Sequence, residues 1–301
     1  MELRHLRYFV AVAREQSFTR AAKTLHIAQP PLSRQIQQFE EELGIELINR
    51  NSRPAYLTEA GRLLYEQAVQ VLDRIEEMRA MMRRMQQADR GRFAIGFVGS
   101  TLYGKLPEVI RRYRAARPGV EAALVELTSL EQTAALKESR IDVGVGRIPH
   151  DDPAIVRQLL RNERLIAVLP LGHPLDRPKP LRLRDLADEP LIVYPRAPRP
   201  SYADQVLALF RAQDITLRSV TEVRELQTAL GLVAAQAGVA LVPAGVRQLR
   251  RDGVAYCDLD EDSATSPIIM SHRRDDTSAE IGVILGLIRD IYREEGIAFG
   301  E

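Results

Sequence analysis

A long stretch without glycine or proline, residues 62–90, constrains this chain more than any other feature. Apolar residues recur through it at alternating spacings of four and three, namely Leu64, Ala68, Val71, Ile75, Met78, Met82 and Met85. That spacing is a heptad seam sustained over about three heptads. The pattern predicts one long amphipathic helix that begins after an N-cap at Thr58 and separates two parts of different texture.

A narrow apolar seam on a long helix has two interpretations. It packs against a second copy of the chain, or it lies on its own domain as an ordinary amphipathic helix. The length and the narrow seam favour the first, with three methionines making the contact adaptable. The predicted dimerisation residues are Leu64, Ala68, Val71, Ile75, Met78 and Met82.

The part before this helix consists of short amphipathic segments with tight breaks. Apolar spacing predicts a helix over 4–14 and a second helix that starts after an N-cap at Ser17. A third opens at Gln29-Pro30-Pro31, where proline is tolerated, and ends at Gly44. The turn cluster at 51–54, flanked by apolar pairs, predicts two short strands that form a wing.

Such a winged helix-turn-helix places its third helix in the major groove of DNA. Polar side chains on the face opposite Leu32 and Ile36 would read base edges, and basic side chains nearby would bind phosphates. From the pattern alone, a merely solvated polar face is an equally good interpretation. The predicted DNA-binding residues are Arg20, Lys23, Gln29, Pro30, Ser33, Arg34, Gln37, Arg50 and Arg53.

From Gly91 onward, short β-branched runs alternate with helical patterns, which indicates an α/β fold. Eight strands are too many for one compact doubly wound sheet, so we expect two α/β lobes with a ligand cleft between them. The predicted strands are 93–98, 121–127, 141–145, 164–169, 191–194, 219–223, 239–242 and 267–271. The predicted helices are one that follows Ser100-Thr101 and runs through residue 117, and others near 131–139, 202–212, 225–236 and 277–295.

Composition excludes several classes of protein. With one cysteine, Cys257, the chain forms no intramolecular disulfide, which favours a reducing compartment. The N-terminus has no signal peptide, and no apolar run spans a membrane, so we expect a cytoplasmic protein. A net charge of +1 argues against sequence-blind coating of nucleic acid. The five histidines are scattered, and neither a phosphate loop nor a nucleophile elbow is present. We therefore expect no metal, no cofactor and no enzyme activity.

Ordered motifs in the first 62 residues resemble the DNA-binding head of the LysR-type transcriptional regulators. They are Ala21-Ala22, Gln29-Pro30-Pro31, Ser33-Arg34-Gln35-Ile36, Leu43-Gly44, Leu47, Arg50 and Leu57-Thr58-Glu59-Ala60-Gly61. The resemblance implies an α + α/β architecture with double-stranded operator DNA, a homodimer or homotetramer, and RNA polymerase as partners. The implied domains are a winged helix-turn-helix over 1–58, a linker helix over 59–90 and a two-lobed effector domain over 91–301, similar to periplasmic binding proteins. Lobe one would comprise 91–162 plus 268–301, and lobe two 163–267.

The effector half also resembles the aromatic-catabolism branch of this family, in segments such as IGFVGS, ALKESRIDVGVGR, LLRNERL and ALGLVAA. This resemblance implies an activator of catechol or benzoate degradation genes. Its effector would be a small carboxylate such as cis,cis-muconate or benzoate.

A dicarboxylate needs donors for two anionic ends, which helix starts after strands supply. Hydroxyl groups mark three such starts, at 100–101, 128–129 and 201–202, and the resemblance brings them together at the cleft; singly, each is an ordinary N-cap. Arg147 and Glu225 are candidates for an ion pair lining the cleft, or for a surface salt bridge. The predicted ligand-binding residues are Gly99, Ser100, Thr101, Thr128, Ser129, Arg147, Pro200, Ser201, Tyr202 and Glu225. Arg161 and Tyr292 form a possible second ligand site within lobe one; the alternative is that both simply pack.

Two rival classes share the two-lobed half. A solute-binding transport protein would carry a signal peptide and no helix-turn-helix. An enzyme on this scaffold would need a catalytic acid, base or nucleophile pair, and the sequence offers none. The alternative is a two-lobed small-molecule-binding protein or enzyme whose helix-turn-helix is not used for DNA. Residues 1–58 therefore favour a regulator.

Overall fold

The computed structural model describes residues 1–49, 55–89 and 91–300, except for the side chains of residues 77, 80, 81 and 83–89. The chain divides into two compact units, Met1–Met82 and Arg83–Glu301. Each unit has its own apolar core. Within the described residues, no helix combines the length and the hydropathy that a membrane span requires.

The first unit is the predicted winged helix-turn-helix. Its helices are α1 (Leu3–Glu15), α2 (Phe18–Thr24) and α3 (Gln29–Leu43), and its wing pairs β1 (Ile48–Asn49) antiparallel with β2 (Tyr56–Leu57). The predicted ends are confirmed: the Ser17 hydroxyl accepts the N–H of Arg20, prolines occupy the first turn of α3, and Gly44 ends it at φ 70°. The core of this unit is formed by Phe9, Leu32, Ile36, Phe39 and Leu47.

Helix α4 (Glu59–Asp89) is the predicted long helix. The Thr58 hydroxyl accepts the N–H of Gly61 at 3.0 Å and so caps it. Its first turns lie on the head, because Ala68 is 1% exposed and Leu64 packs against the same core. Ile75 is half-buried, and Met85 lies outside the side chains that the structure describes. The prediction of a dimer seam therefore depends on the exposed Val71, Met78 and Met82.

The second unit contains nine strands and five helices in its described part. The strands are β3 (Arg92–Phe97), β4 (Glu121–Glu126), β5 (Val143–Gly146), β6 (Ile155–Pro170), β7 (Pro190–Val193), β8 (Ser219–Glu222), β9 (Val239–Pro243), β10 (Val254–Asp258) and β11 (Thr265–Arg273). The helices are α5 (Leu106–Ala116), α6 (Ser129–Lys137), α7 (Tyr202–Ala212), α8 (Leu226–Ala234) and α9 (Ala279–Glu294). Three 3₁₀ segments, Gly99–Tyr103, Leu183–Leu186 and Ala244–Leu249, connect them.

The long strand β6 passes through both predicted lobes. Its first part, up to Arg164, pairs with β11, and its second part, from Leu165, pairs with β9 and β10. Strands β3, β4 and β5 complete lobe one in parallel register, while β7 and β8 extend lobe two beyond β9. The pairing changes at 164/165, two residues beyond the predicted boundary at 162/163.

Two strand predictions need correction. Strand β6 begins at Ile155 rather than at residue 164, and β10 is an additional strand. The first part of β6 carries polar side chains, including Arg157, Arg161 and Glu163, that interrupt the apolar run by which a buried strand is recognised.

Candidate functional site

A cleft of about 540 Å³ lies between the two lobes of the second unit. It is lined where strands of lobe one end and where helices α7 and α8 of lobe two begin. Nine of the ten predicted ligand-binding residues line it, namely Gly99, Ser100, Thr128, Ser129, Arg147, Pro200, Ser201, Tyr202 and Glu225.

Thr101 is the exception. Its side chain is buried, and its hydroxyl donates to the carbonyl of Val98 at 2.7 Å. The segment is a 3₁₀ turn, and α5 starts only at Leu106, so Thr101 turns away from the lining while Ser100 faces it. Thr101 supports the turn and does not line the cleft.

Arg147, directly after β5, is 3% exposed. Its Nε donates to the Ser100 hydroxyl at 2.8 Å, and its Nη2 donates to Glu163 Oε2 at 2.5 Å. Its Nη1 is buried and has no partner among the described residues. The predicted pair with Glu225 is wrong, because β6 places Glu163 beside the guanidinium, whereas Glu225 occupies the N-cap position of α8.

Glu163 was not among the residues predicted from the sequence. It is 3% exposed, and its Oε1 accepts the N–H of Gly245 at 3.1 Å and lies 3.3 Å from Arg161 Nη2. The Arg161 guanidinium lies over the ring of Tyr292, 5.7 Å from its centroid. One buried carboxylate therefore joins Arg147 in the cleft to the predicted second site. The available signal was a glutamate inside a strand, where an unpaired charge is unfavourable.

Tyr194 and Tyr202 form a wall of the cleft, with their rings tilted by 40° and their centroids 5.2 Å apart. The Tyr202 hydroxyl donates to the carbonyl of Leu241 at 3.2 Å, whereas the Tyr194 hydroxyl is buried without a partner in the described part of the chain. Burial raises the pKa of both hydroxyls, so both remain protonated donors at neutral pH. Tyr194 was also missed, because it simply follows strand β7 before a proline.

The predicted helix starts carry two kinds of hydroxyl. Those of Thr128 and Ser201 form reciprocal caps with Glu131 and Asp204, as N-capping requires. The Ser129 hydroxyl instead accepts the N–H groups of Arg147, at 3.0 Å, and of the next residue, at 3.2 Å. An accepting hydroxyl keeps its own hydrogen for donation. Ser100 and Ser129 are therefore the helix-start hydroxyls that can donate to a ligand.

Charge in the cleft is uneven. The carboxylates of Glu126, Glu131 and Glu225 line it in addition to Arg147 and Arg224. Glu131 is occupied by its cap with Thr128, whose N–H and hydroxyl both donate to it at 2.8 Å. Arg147 also has the Nη1 that is unpartnered among the described residues, so it can still donate to an anionic group of a ligand.

Hydrogen bonds also cross between the lobes. Gln227 Nε2 donates to the Tyr103 hydroxyl at 3.1 Å, and Gln205 Nε2 donates to the carbonyl of Arg147 at 2.9 Å. These two hydrogen bonds therefore connect lobe one with lobe two beside the cleft. No group of three or more metal-ligating side chains occurs among the residues that the structure describes.

In the first unit, the predicted DNA-binding residues of α2 and α3 are accessible to solvent. Lys23, Gln29, Pro30, Arg34 and Gln37 are exposed, and Ser33 is half-buried. Arg20 is exposed too, but its Nε donates to Glu15 at 3.3 Å. A surface ion pair is weak, so a phosphate can replace it. Arg50 and Arg53 lie outside the described residues.

Comparison with known proteins agrees with both units. The family "Bacterial regulatory helix-turn-helix protein, lysR family" matches residues 3–62, and the family "LysR substrate binding domain" matches residues 86–292. The chain is 53% identical, over 98% of its length and 97% of the relative's, to the probable cat1 operon transcriptional activator of Acinetobacter lwoffii.

Two solved structures are similar to it. The BenM effector binding domain with its effector benzoate has a TM-score of 0.67 and 42% identity, and the match covers 69% of this chain and 94% of that one. Full-length CbnR complexed with its target DNA has a TM-score of 0.62 and 30% identity, and the match covers 96% of this chain and 99% of that one. The predicted architecture and family are confirmed: this chain belongs to the LysR family of bacterial transcription regulators.

Proposed function

We propose that this regulator activates genes for the degradation of aromatic compounds when a small carboxylate binds in the cleft between its lobes. The observation that carries the proposal is a pair of buried donors with no partner among the described residues, Arg147 Nη1 and the Tyr194 hydroxyl. A buried polar group without a hydrogen bond is unfavourable, and a bound carboxylate would satisfy both.

The rest of the lining suits an aromatic acid or a ring-cleavage diacid. Ser100 and Ser129 add hydroxyl donors, while Leu127, Ile148 and Pro198 add apolar surface. Benzoate and cis,cis-muconate combine these features, a carboxylate and a flat apolar body. The similar BenM domain has benzoate as its effector, and the similar A. lwoffii protein is a probable operon activator.

Arg161 and Tyr292 support a second, smaller site for a benzoate-like acid in lobe one. Arg161 Nε is buried without a partner in the described structure, and Tyr292 is 3% exposed. An acid there would compete with Glu163 for Arg161. Since Glu163 also holds Arg147, occupancy of this site would change the charge that a ligand in the cleft meets.

DNA would be read by the exposed face of α3, with Arg34 and Gln37 at base edges and Arg20 and Lys23 at phosphates. We propose the division into a head over 1–58, a linker over 59–90 and an effector domain over 91–301. The exposed Val71, Met78 and Met82 of the linker would form a homodimer, and two dimers a homotetramer. In this arrangement the protein acts in the cytoplasm on RNA polymerase at the operator and catalyses no reaction.

Calorimetric titration of the full-length protein with benzoate, cis,cis-muconate and benzamide tests the effector proposal. Benzamide is the matched control, because it keeps the ring and removes the charge. We expect binding of at least one acid and much weaker binding of benzamide. Ser100→Ala should lower the affinity for the acid and leave the affinity for DNA intact. Equal binding of benzoate and benzamide, or no binding of either acid, contradicts the proposal.

A further inference from the structure

Leu47 lies where the recognition helix α3, the wing and the linker helix α4 meet. Its side chain is 1% exposed. Its N–H donates to Glu40 Oε1 at 2.9 Å, and its carbonyl accepts the N–H of Thr58 at 2.9 Å. The N–H of Leu47 is thus bound by a residue of α3, and its carbonyl is bound by the N-cap residue of α4. We refer to Glu40, Leu47, Thr58 and Gly61 as the Leu47 junction.

The α3 side of the Leu47 junction is a buried carboxylate. Glu40 is 8% exposed, and the oxygen that accepts the N–H of Leu47 also accepts that of Ile48 at 3.1 Å. Hydrogen bonds to a charged acceptor are shorter and stronger than neutral ones. Glu40 therefore fixes the first strand of the wing against α3, at two successive residues.

The α4 side is a close backbone contact. A Cβ atom at Gly61 would lie 2.0 Å from the carbonyl oxygen of Leu47, so only glycine permits this approach. The Thr58 hydroxyl donates to the carbonyl of Glu46 at 2.7 Å and accepts the N–H of Gly61 at 3.0 Å. The first turn of α4 is therefore seated directly on the backbone that Glu40 holds.

We propose that the Leu47 junction sets the angle between α3 and α4, and that Glu40 and Gly61 are positioning residues for operator recognition. The inference rests on the proposed reading of DNA by α3 and dimerisation through α4. In a dimer of helix-turn-helix heads, the distance between the two recognition helices determines which half-site spacing is bound. A device that fixes the angle between α3 and α4 fixes that distance.

Because α4 is long, a small change in its angle at the Leu47 junction moves its far end by a large distance. Met82 lies roughly 32 Å along the helix from Gly61 at ~1.5 Å per residue. A tilt of about 6° at the junction would therefore move the seam near Met82 by about 3 Å, close to the ~3.4 Å step of one base pair. Displacing Gly61 from the carbonyl of Leu47 by an added methyl group is enough to cause a tilt of this order.

The test compares Gly61→Ala with Gly282→Ala, a matched control in helix α9, where an added Cβ meets no atom within 4 Å. Half-sites identified by footprinting of the wild-type protein are placed in duplexes whose spacer changes in single base-pair steps. Binding of full-length protein is measured on each duplex and on a single half-site. Circular dichroism and the thermal midpoint report folding.

We expect Gly61→Ala to prefer a different spacer, or to lose about tenfold or more on the wild-type spacer, the size of one misplaced base contact. Affinity for a single half-site stays within about threefold, and Gly282→Ala behaves as wild type. Glu40→Gln, which keeps an acceptor oxygen but loses the charge, shifts binding in the same direction and remains the test if Gly61→Ala does not fold.

Two results overturn the inference. In the first, the folded variants keep the wild-type spacer optimum and affinity. In the second, they lose the single half-site as strongly as the pair, which means that α3 itself is damaged. If the wild-type protein binds none of the duplexes, DNA recognition by α3 is contradicted, and the inference falls with it. This result differs from the other two because it concerns the wild-type protein and not the variants.

Discussion

Tyr194→Phe removes from the cleft a hydroxyl that forms no hydrogen bond with the described residues, although the tyrosine is only 7% exposed. Leaving a buried donor unpaired is unfavourable by about 1–3 kcal/mol. The substitution should therefore leave the free energy of unfolding unchanged or raise it by up to that amount. For a unit of this size, each kcal/mol moves the thermal midpoint by roughly 2–4 °C.

Tyr202→Phe is the matched control in the neighbouring ring. Its hydroxyl donates to the carbonyl of Leu241, within strand β9, at 3.2 Å. Removing it should lower the free energy of unfolding by about 1 kcal/mol, the net value of one hydrogen bond. The same chemical change is thus expected to lower the free energy of unfolding at Tyr202 and not to lower it at Tyr194.

Ligand affinity should depend on the hydroxyl of Tyr194 rather than on that of Tyr202. A hydrogen bond to a charged carboxylate contributes about 1.5–3 kcal/mol, so Tyr194→Phe should weaken binding of the effector acid roughly 10- to 100-fold. Tyr202→Phe should change it little. Urea denaturation and calorimetric titration measure the two quantities. A Tyr194→Phe protein that is less stable than wild type and binds the acid equally well refutes the assignment of this hydroxyl.

Three further predictions concern the Glu163–Arg147 ion pair, the proposed seam on α4 and the buried tyrosines. Glu163→Ala should destabilise the protein by about 3–5 kcal/mol in urea denaturation, because it leaves the buried Arg147 charge without its partner; Asp262→Ala, which removes the exposed partner of Arg164, should leave stability unchanged. Met78→Glu should dissociate the proposed dimer in sedimentation experiments, whereas Leu63→Glu, exposed on another face of α4, should not; a Met78→Glu protein that stays dimeric rules out the proposed seam. Burial raises the pKa of Tyr113, Tyr194, Tyr202, Tyr256 and Tyr292 above the ordinary 10.0, so the native state holds these protons more firmly than the unfolded state. Their contribution to stability is therefore complete below pH 10.0 and lost as pH rises above it. In this tryptophan-free chain the ultraviolet absorbance of tyrosinate should show that these five tyrosines ionise last, together with unfolding, whereas titration of all nine tyrosines at one pH would contradict the prediction.

The head and the linker could be predicted closely because local signals determine them. Ser17, the prolines after Gln29, Gly44 and Thr58 each mark a helix end by a backbone requirement that sequence expresses directly. The family resemblance then assigned these elements to DNA binding and brought the hydroxyl-bearing helix starts together at the cleft, which nine of the ten predicted ligand-binding residues line.

Long-range pairing could not be predicted from such signals. Arg147 bonds to Glu163 rather than to Glu225, because β6 extends back into lobe one and places residue 163 within reach of the Arg147 side chain across strand β11. The same strand was shortened in the prediction, since polar residues in its first part hide its continuity. Tyr194 and the Leu47 junction are equally non-local. Tyr194 matters because its hydroxyl is buried in the wall of the cleft. The Leu47 junction depends on the Glu40 carboxylate, which accepts the backbone N–H of a residue seven positions away.

The most direct test of the account is a footprint of the full-length protein on the DNA upstream of its own gene, measured across a titration with the effector acid that calorimetry identifies. We expect the protected region to change, with a midpoint at the acid concentration that half-fills the cleft, and Arg147→Lys, which keeps the charge next to Glu163 but cannot reach as many acceptors, to move both midpoints together. A footprint that stays the same while the acid saturates the protein would contradict the coupling of the cleft to DNA.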